Sequence, residues 1–276
     1  MEVNGYRIEA DADLRGADLS YTDLSNVNLA RAKLIDADLT GAILANANFS
    51  TADLTRAYLA DTSMKRAVFT RAKLIGTDLT DAELTDADFS EADLTDADLR
   101  EANLSRADLH GADITRANLT RATLVGADLT YANLHRAVLA RANLTGATLF
   151  RAYPTDADLT GANLTLANLT RAIFTGSKMI GINLRGADLS EATLTETSMK
   201  DADLTGANLF RANLESANLT RADLTGTNLT RANLIDADLT DADLTDSDLT
   251  GAALLRALLT RTRFAGAIMP NGSTNF

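Results

Sequence analysis

The sequence predicts an all-β solenoid, on three observations. An apolar residue recurs at every fifth position from Leu14 to Met269, and the register never slips. Alanine stands two residues before it at 42 of these 52 positions. Asp or Asn stands directly before it at 33 of the 52. No regular element accommodates a period of five. On a helix, five residues advance about 500°, so successive apolar residues fall about 140° apart and spiral instead of forming a stripe. On a flat strand an odd period sends them alternately to opposite faces. A chain that runs extended for three residues and turns a corner with the next two brings every fifth side chain to one axis.

The elements follow in order. Residues 1–11 lack the repeat, and Tyr6 and Ile8 are their apolar anchors, so this segment is expected to cover the N-terminal edge. Residues 12–269 are the repeat itself. Its centre is Leu at 41 of 52 positions, Phe at 49, 69, 89, 174 and 264, Met at 64, 179, 199 and 269, with Ile114 and Pro154 as single exceptions. After the centre comes Thr or Ser at 30 positions, then Arg, Asp, Glu or Gly. Small Ala lets the chain approach the axis, and Leu fills what remains. Coils then stack by hydrogen bonds at about 4.8 Å. At Pro154 one ladder hydrogen bond must be lost, so a local widening or bulge is expected there, with the register held by Leu149 and Leu159. Residues 270–276 form a short C-terminal tail.

The unit A-(D/N)-L-(T/S)-X, as in Ala92-Asp93-Leu94-Thr95-Asp96 and Ala232-Asn233-Leu234-Ile235-Asp236, resembles the motif of the pentapeptide repeat family over residues 12–269. The resemblance implies a right-handed quadrilateral parallel β-helix with four units per coil. On that rule the chain makes about 13 coils in one unbroken rod, roughly 62 Å long. The residues alone set the corners without choosing four sides over three. The spacing of Phe49, Phe69 and Phe89 by 20 favours four, since they would then stack on one inner face. The ending Gly266-Ala267-Ile268-Met269-Pro270-Asn271-Gly272 is similar to cyanobacterial members.

Composition narrows function. The chain has 276 residues, no Cys, no Trp and a net charge of −12. Without Cys there is no disulfide scaffold, thiolate metal site or cysteine nucleophile. An acidic balance argues against direct nucleic-acid binding. No apolar run is long enough to span a membrane, and Met1–Asp13 lacks a secretory pattern, so a cytoplasmic location is expected. His110 and His135 fall on different sides, which removes a His-based dyad. An axis filled by Ala and Leu leaves no substrate pocket. Columns such as Asp203, Asp223 and Asp243 could bridge a hard cation, but the motif writes them automatically and no binding loop surrounds them. The expectation is a non-enzymatic protein with no cofactor and no metal.

The outward slots supply the candidate surfaces. Tyr131, Phe150, Arg151, Tyr153, Arg171, Phe210 and Arg211 form the candidate contact patch for an unknown protein partner, since aromatics and Arg are what interface hot spots use. The plainer reading is decoration of an exposed surface by cation–π contacts. Leu255, Leu258 and Ile268 are apolar in outward slots near the C-terminus. They fit either a homodimer through the C-terminal coil or local packing of the tail. Two acidic belts stand out. One has ten carboxylates against Arg100 between Asp78 and Glu101, and the other six Asp between Asp236 and Asp248. Residues 106–151 between them are net +3. Members of the resembled family act as DNA-like decoys for type II topoisomerases such as gyrase, which makes DNA mimicry the alternative function. The plainer reading is that Asp and Asn recur because they bond nearby backbone at corners.

Overall fold

The computed structural model describes residues 1–274, so the last two residues of the C-terminal tail lie outside it. Its contacts divide the chain into two compact units, Met1–Val138 and Leu139–Phe276.

Each unit is built from the same corner. The amide of the residue three positions past a centre donates back to that centre's carbonyl, as Ala97 to Leu94 at 3.0 Å. The third residue of this four-residue turn has positive φ, and the second does not, which is the sign pattern of a type II turn. All 52 corner positions from Asp11 to Gly266 are left-handed, yet only 14 of them are glycine. Arginine, Asp, Glu and Tyr occupy most of the rest, and Thr51 is the sole β-branched residue among them. Such a backbone costs a non-glycine residue about 1 kcal/mol or more. The stacking therefore over-determines the corner.

What stacks is visible in one unit. Leu94 donates to the Asp113 carbonyl at 2.7 Å, Asp96 to Thr115 at 3.0 Å, and Asp93 to Ala72 in the preceding coil at 2.9 Å. The turn takes a fourth amide, Ala92 to Phe89 at 2.9 Å. The fifth, that of Thr95, is taken by the Asp93 carboxylate at 3.0 Å. Every amide of the unit is thus satisfied, as a near-buried backbone requires. This explains the motif: Asp and Asn are the short side chains whose oxygen reaches the amide two residues on. The Ser or Thr hydroxyl often donates to the same oxygen, as Thr115 Oγ1 to Asp113 Oδ1 at 2.5 Å.

Parallel bridges pair residues 20 apart, from Asp13↔Lys33 to Asn118↔Val138 in the first unit and from Asn143↔Asn163 to Asp248↔Ile268 in the second. A coil is therefore four five-residue units, with four corners. The centres point inward and are buried from Leu14 to Leu249, while those of the last coil, Leu254 to Met269, are half-buried or exposed. Phe49, Phe69 and Phe89 stack one above another, with ring centroids 5.0 and 4.7 Å apart and planes within 5°. Where Ala is replaced by Thr or Ser, the buried hydroxyl donates to a nearby backbone carbonyl, as Thr62 to Leu59 and Thr77 to Leu54. Fully buried Phe174 in the second unit also shows that the axis accepts more than Leu-sized side chains.

The first unit opens with a hairpin, β1 (Glu2–Val3) and β2 (Tyr6–Arg7), paired antiparallel. Asn4 and Gly5 both have positive φ, as a two-residue type I′ loop requires. Ile8 is buried and Tyr6 half-buried, and the amide of Asp11 starts the ladder on Ala30 at 2.9 Å. In the second unit, Pro154 is buried at a centre, and among the described residues no bridge joins Tyr153 to Ile173. The following turn bond stretches to 3.4 Å. Of the widening or bulge expected here, the bulge is absent, because no residue is inserted, and the register is kept as expected, with pairing resuming at Asp158↔Lys178, still 20 apart.

Candidate functional site

The outward residues form columns, because each slot repeats one coil above itself. The corner slot gives the clearest columns. Arg31 grips Asp11 with two parallel bonds of 2.7 Å, and Arg56 grips Asp36 with two of 2.8 Å. Arg106 on Asp86, Arg116 on Asp96 and Arg221 on Asp201 repeat the arrangement. The left-handed corner aims these side chains along the column, so a fork meets a carboxylate exactly one coil away in sequence spacing of 20.

This pairing changes the acidic belts. In the first, Asp86, Glu91, Asp96, Asp98 and Glu101 are bound by Arg106, Arg71, Arg116, Arg100 and Arg121. In the second, Asp236, Asp241 and Asp243 are bound by Arg256, Arg261 and Arg263. Half of each belt is thus locally neutralised by arginines, all of them from neighbouring coils except Arg100, which binds Asp98 in its own coil. The bond to Arg116 holds the Asp96 carboxyl below the ordinary range, and Arg256 does the same for Asp236. Asp18 and Asp23, in the slot before the centre, are lowered by other donors. For Asp18 and Asp23 the Ser20 and Ser25 hydroxyls contribute most, followed by the backbone amides of the same serines. Their repetition follows from corner building, as the plainer reading expects.

The candidate patch residues fall in both units. In the first, Tyr131 meets His110 edge-on, with ring centroids 5.7 Å apart. In the second, the Arg151 guanidinium lies 5.3 Å from the centroid of Phe150, and that of Arg211 lies 5.0 Å from the centroid of Phe210. Arg171 binds Glu191 at 2.7 Å. Tyr153 is exposed and lies past the corner from Arg151. The amides of Arg151, Arg171, Glu191 and Arg211 donate to the carbonyls of Thr170, Ser190, Phe210 and Thr230. Phe150, Arg151, Arg171, Phe210 and Arg211 therefore belong to one corner of the second unit. The same column continues to Arg231, which sequence reasoning passed over although its spacing of 20 from Arg211 marks it.

At the C-terminal coil, Leu255 is 63% exposed, Leu258 57% and Ile268 37%. Leu259, an inward centre, is exposed too. The tail folds back at Ile268, which bridges Thr274, and Met269 donates to Ser273 at 2.7 Å. Among the described residues, no group of His, Cys, Asp or Glu is arranged to hold a metal ion, and no helix is long and apolar enough to cross a membrane.

The same pattern is found in known proteins. The description Pentapeptide repeats matches in eight copies, at residues 10–46, 47–86, 82–121, 117–153, 155–190, 172–209, 207–246 and 237–271. Two adjacent copies stop and start on either side of Pro154. Comparison with curated protein sequences finds no match. Among solved structures, HetL, a pentapeptide repeat protein involved in heterocyst differentiation regulation from the cyanobacterium Nostoc sp. strain PCC 7120, is 31% identical, with 84% of this chain and 91% of HetL covered and a TM-score of 0.33. Rfr23, from the cyanobacterium Cyanothece 51142, is 27% identical over 40% of this chain and 58% of its own, with a TM-score of 0.27. QnrB1, a plasmid-mediated fluoroquinolone resistance protein, is 19% identical over 86% of this chain and 90% of its own, with a TM-score of 0.31. From the unbroken register of five, the four-cornered coil and the eight matched copies of the Pentapeptide repeats description, the chain belongs to the pentapeptide repeat family.

Proposed function

We propose that this chain is a non-enzymatic solenoid that displays a fixed surface to a protein partner. The observation that carries the reading is the corner of the second unit where Arg151 and Arg211 lie over Phe150 and Phe210. Aromatic side chains and Arg together supply large, rigid contact area and directed donors. The backbone beneath them is tied at every coil, so the groups stand in place before a partner arrives and association costs little ordering entropy. Capture from native lysate tests the reading. The wild-type chain is expected to retain a partner that Phe150→Ala/Arg151→Glu loses, and equal recovery on both would overturn the assignment of the patch.

The same reading takes the winding as right-handed and the 52 units as about 13 coils, following the resemblance at a spacing of about 4.8 Å. It also places a homodimer contact on Leu255 and Leu258, which the folded-back tail leaves exposed while it reaches Ile268. Sedimentation of the wild type against Leu255→Arg/Leu258→Arg is expected to show a heavier species only for the wild type. Identical sedimentation of the two would remove this contact.

A further inference from the structure

The chain as a whole is strongly acidic, yet one corner of the second unit runs against that charge. Arg151, Arg171, Glu191, Arg211 and Arg231 follow one another at single-coil steps, so four guanidinium groups share a column with one carboxylate. Glu191 is bound by Arg171 and also feels Arg211, which together hold its carboxyl below the ordinary range. Asp188, on the adjoining face, spends its Oδ1 on the amide and hydroxyl of Ser190 and on Asn208. The slots past the corner, at 153, 173, 193, 213 and 233, hold Tyr, Ile, Thr, Asn and Asn, none of them charged. The column therefore carries a net positive strip, with neutral ground past the corner and Asp188 as the single carboxylate in the slot before the centre on the other side. At about 4.8 Å per coil it extends about 19 Å from Arg151 to Arg231.

Two features say what would lie on it. The Arg211 guanidinium lies over the Phe210 ring, 5.0 Å from its centroid, and a guanidinium offers a fork of N–H donors that matches a carboxylate. Half-buried Phe150 and Phe210 sit beside the arginines and give an apolar side chain something to rest on. A straight strip of this length fits about six residues of extended polypeptide.

We propose that this column binds an extended acidic polypeptide segment, with its carboxylates on Arg171, Arg211 and Arg231 and an apolar side chain against Phe210. The assignment rests on the display function above and names the partner's chemistry. Electrostatic complementarity of this kind sets specificity and weakens with salt.

Fluorescence anisotropy with labelled ten-residue peptides tests it. One peptide is rich in Asp and Glu around a single Leu, one carries Asn and Gln in their place, and one carries Lys. The acidic peptide is expected to bind at least tenfold more tightly than the other two, and less tightly as salt is raised. Arg211→Gly/Arg231→Gly should weaken it about tenfold or more, as two exposed ion pairs near the top of their usual range are lost together. Glycine is the residue a left-handed corner accepts without strain, so this variant keeps the fold, and Arg256→Gly serves as the control that leaves binding unchanged. Equal binding of acidic and neutral peptides, no binding of any peptide, or wild-type binding by the double variant would overturn the proposal. If the peptides fail while lysate capture still depends on Phe150 and Arg151, the acidic partner is wrong and the display function stands. If that dependence fails as well, both fall.

Discussion

Leu166 shows how far stacking overrides residue preference. It sits at a left-handed corner with φ of 58°, and its side chain is 68% exposed. Its burial therefore returns little for the backbone it must adopt. Leu166→Gly is expected to stabilise its coil by about 1 kcal/mol, read as slower native-state hydrogen exchange around residue 166. The slot before the centre makes the opposite case. Asp113 Oδ1 receives the Thr115 amide at 3.0 Å, the Thr115 hydroxyl and the Asn133 side chain. Asp113→Ala strands that amide and is expected to cost about 1–2 kcal/mol, whereas Asp113→Asn keeps the acceptor and should cost much less. Equal losses for both would mean that charge, and not the acceptor, is what the slot requires. The slot's chemistry was legible from the sequence, since short Asp and Asn side chains at a fixed place before a turn imply a bond to nearby backbone. The left-handed corner was not. Arg and Glu carry no local preference for positive φ and Asp only a modest one, and the closing of a four-cornered coil imposes it on all 52 positions.

At the scale of the coil, the period of five and the inward Leu were readable because burial leaves its mark on composition. The stacking of Phe49, Phe69 and Phe89 was readable for the same reason, their spacing being one coil. Phe69 is the middle ring, with neighbours on both sides and no exposed surface. Phe69→Ala is expected to destabilise its coil by about 3–5 kcal/mol, because the neighbouring backbone is held by ladders and closes poorly on the cavity. Local exchange or chemical denaturation would measure it, and a loss below 1 kcal/mol would show that the axis collapses freely. Two elements were missed. Asn4-Gly5 is a strong local hairpin signal, but the segment lies outside the repeat and was read only as a cover. The ion pairs along corner columns join residues 20 apart, so they are invisible until the number of units per coil is known. The pairing of Arg31 with Asp11 then follows directly.

For the chain as a whole, net charge is a poor guide until the pairs are drawn. The acidic belts suggest DNA mimicry in sequence, but half of their carboxylates are bound by arginines, nearly all from adjacent coils. The unscreened rows that a duplex decoy needs are thereby broken up. What the carboxylates do for the fold is testable by pH. Asp18 and Asp23 are lowered by serine hydroxyls and amides, and Asp36 by its bond to Arg56. Carboxylates with lowered folded values stabilise the fold above the unfolded value of about 3.9 and lose that contribution as pH falls through the folded values. The thermal midpoint is accordingly expected to hold from neutral pH to about 4 and to drop below it, and a flat profile down to about pH 2 would contradict the bonding described. The functional claim is that a pre-built corner of the second unit meets a protein. Amide exchange would report it poorly, since the coil amides are already bonded. Hydroxyl-radical footprinting of the chain with its captured partner reads the side chains directly. Phe150, Tyr153 and Phe210 should lose labelling in the complex while Tyr21 and Tyr58 keep theirs, and unchanged labelling of the three would contradict the account.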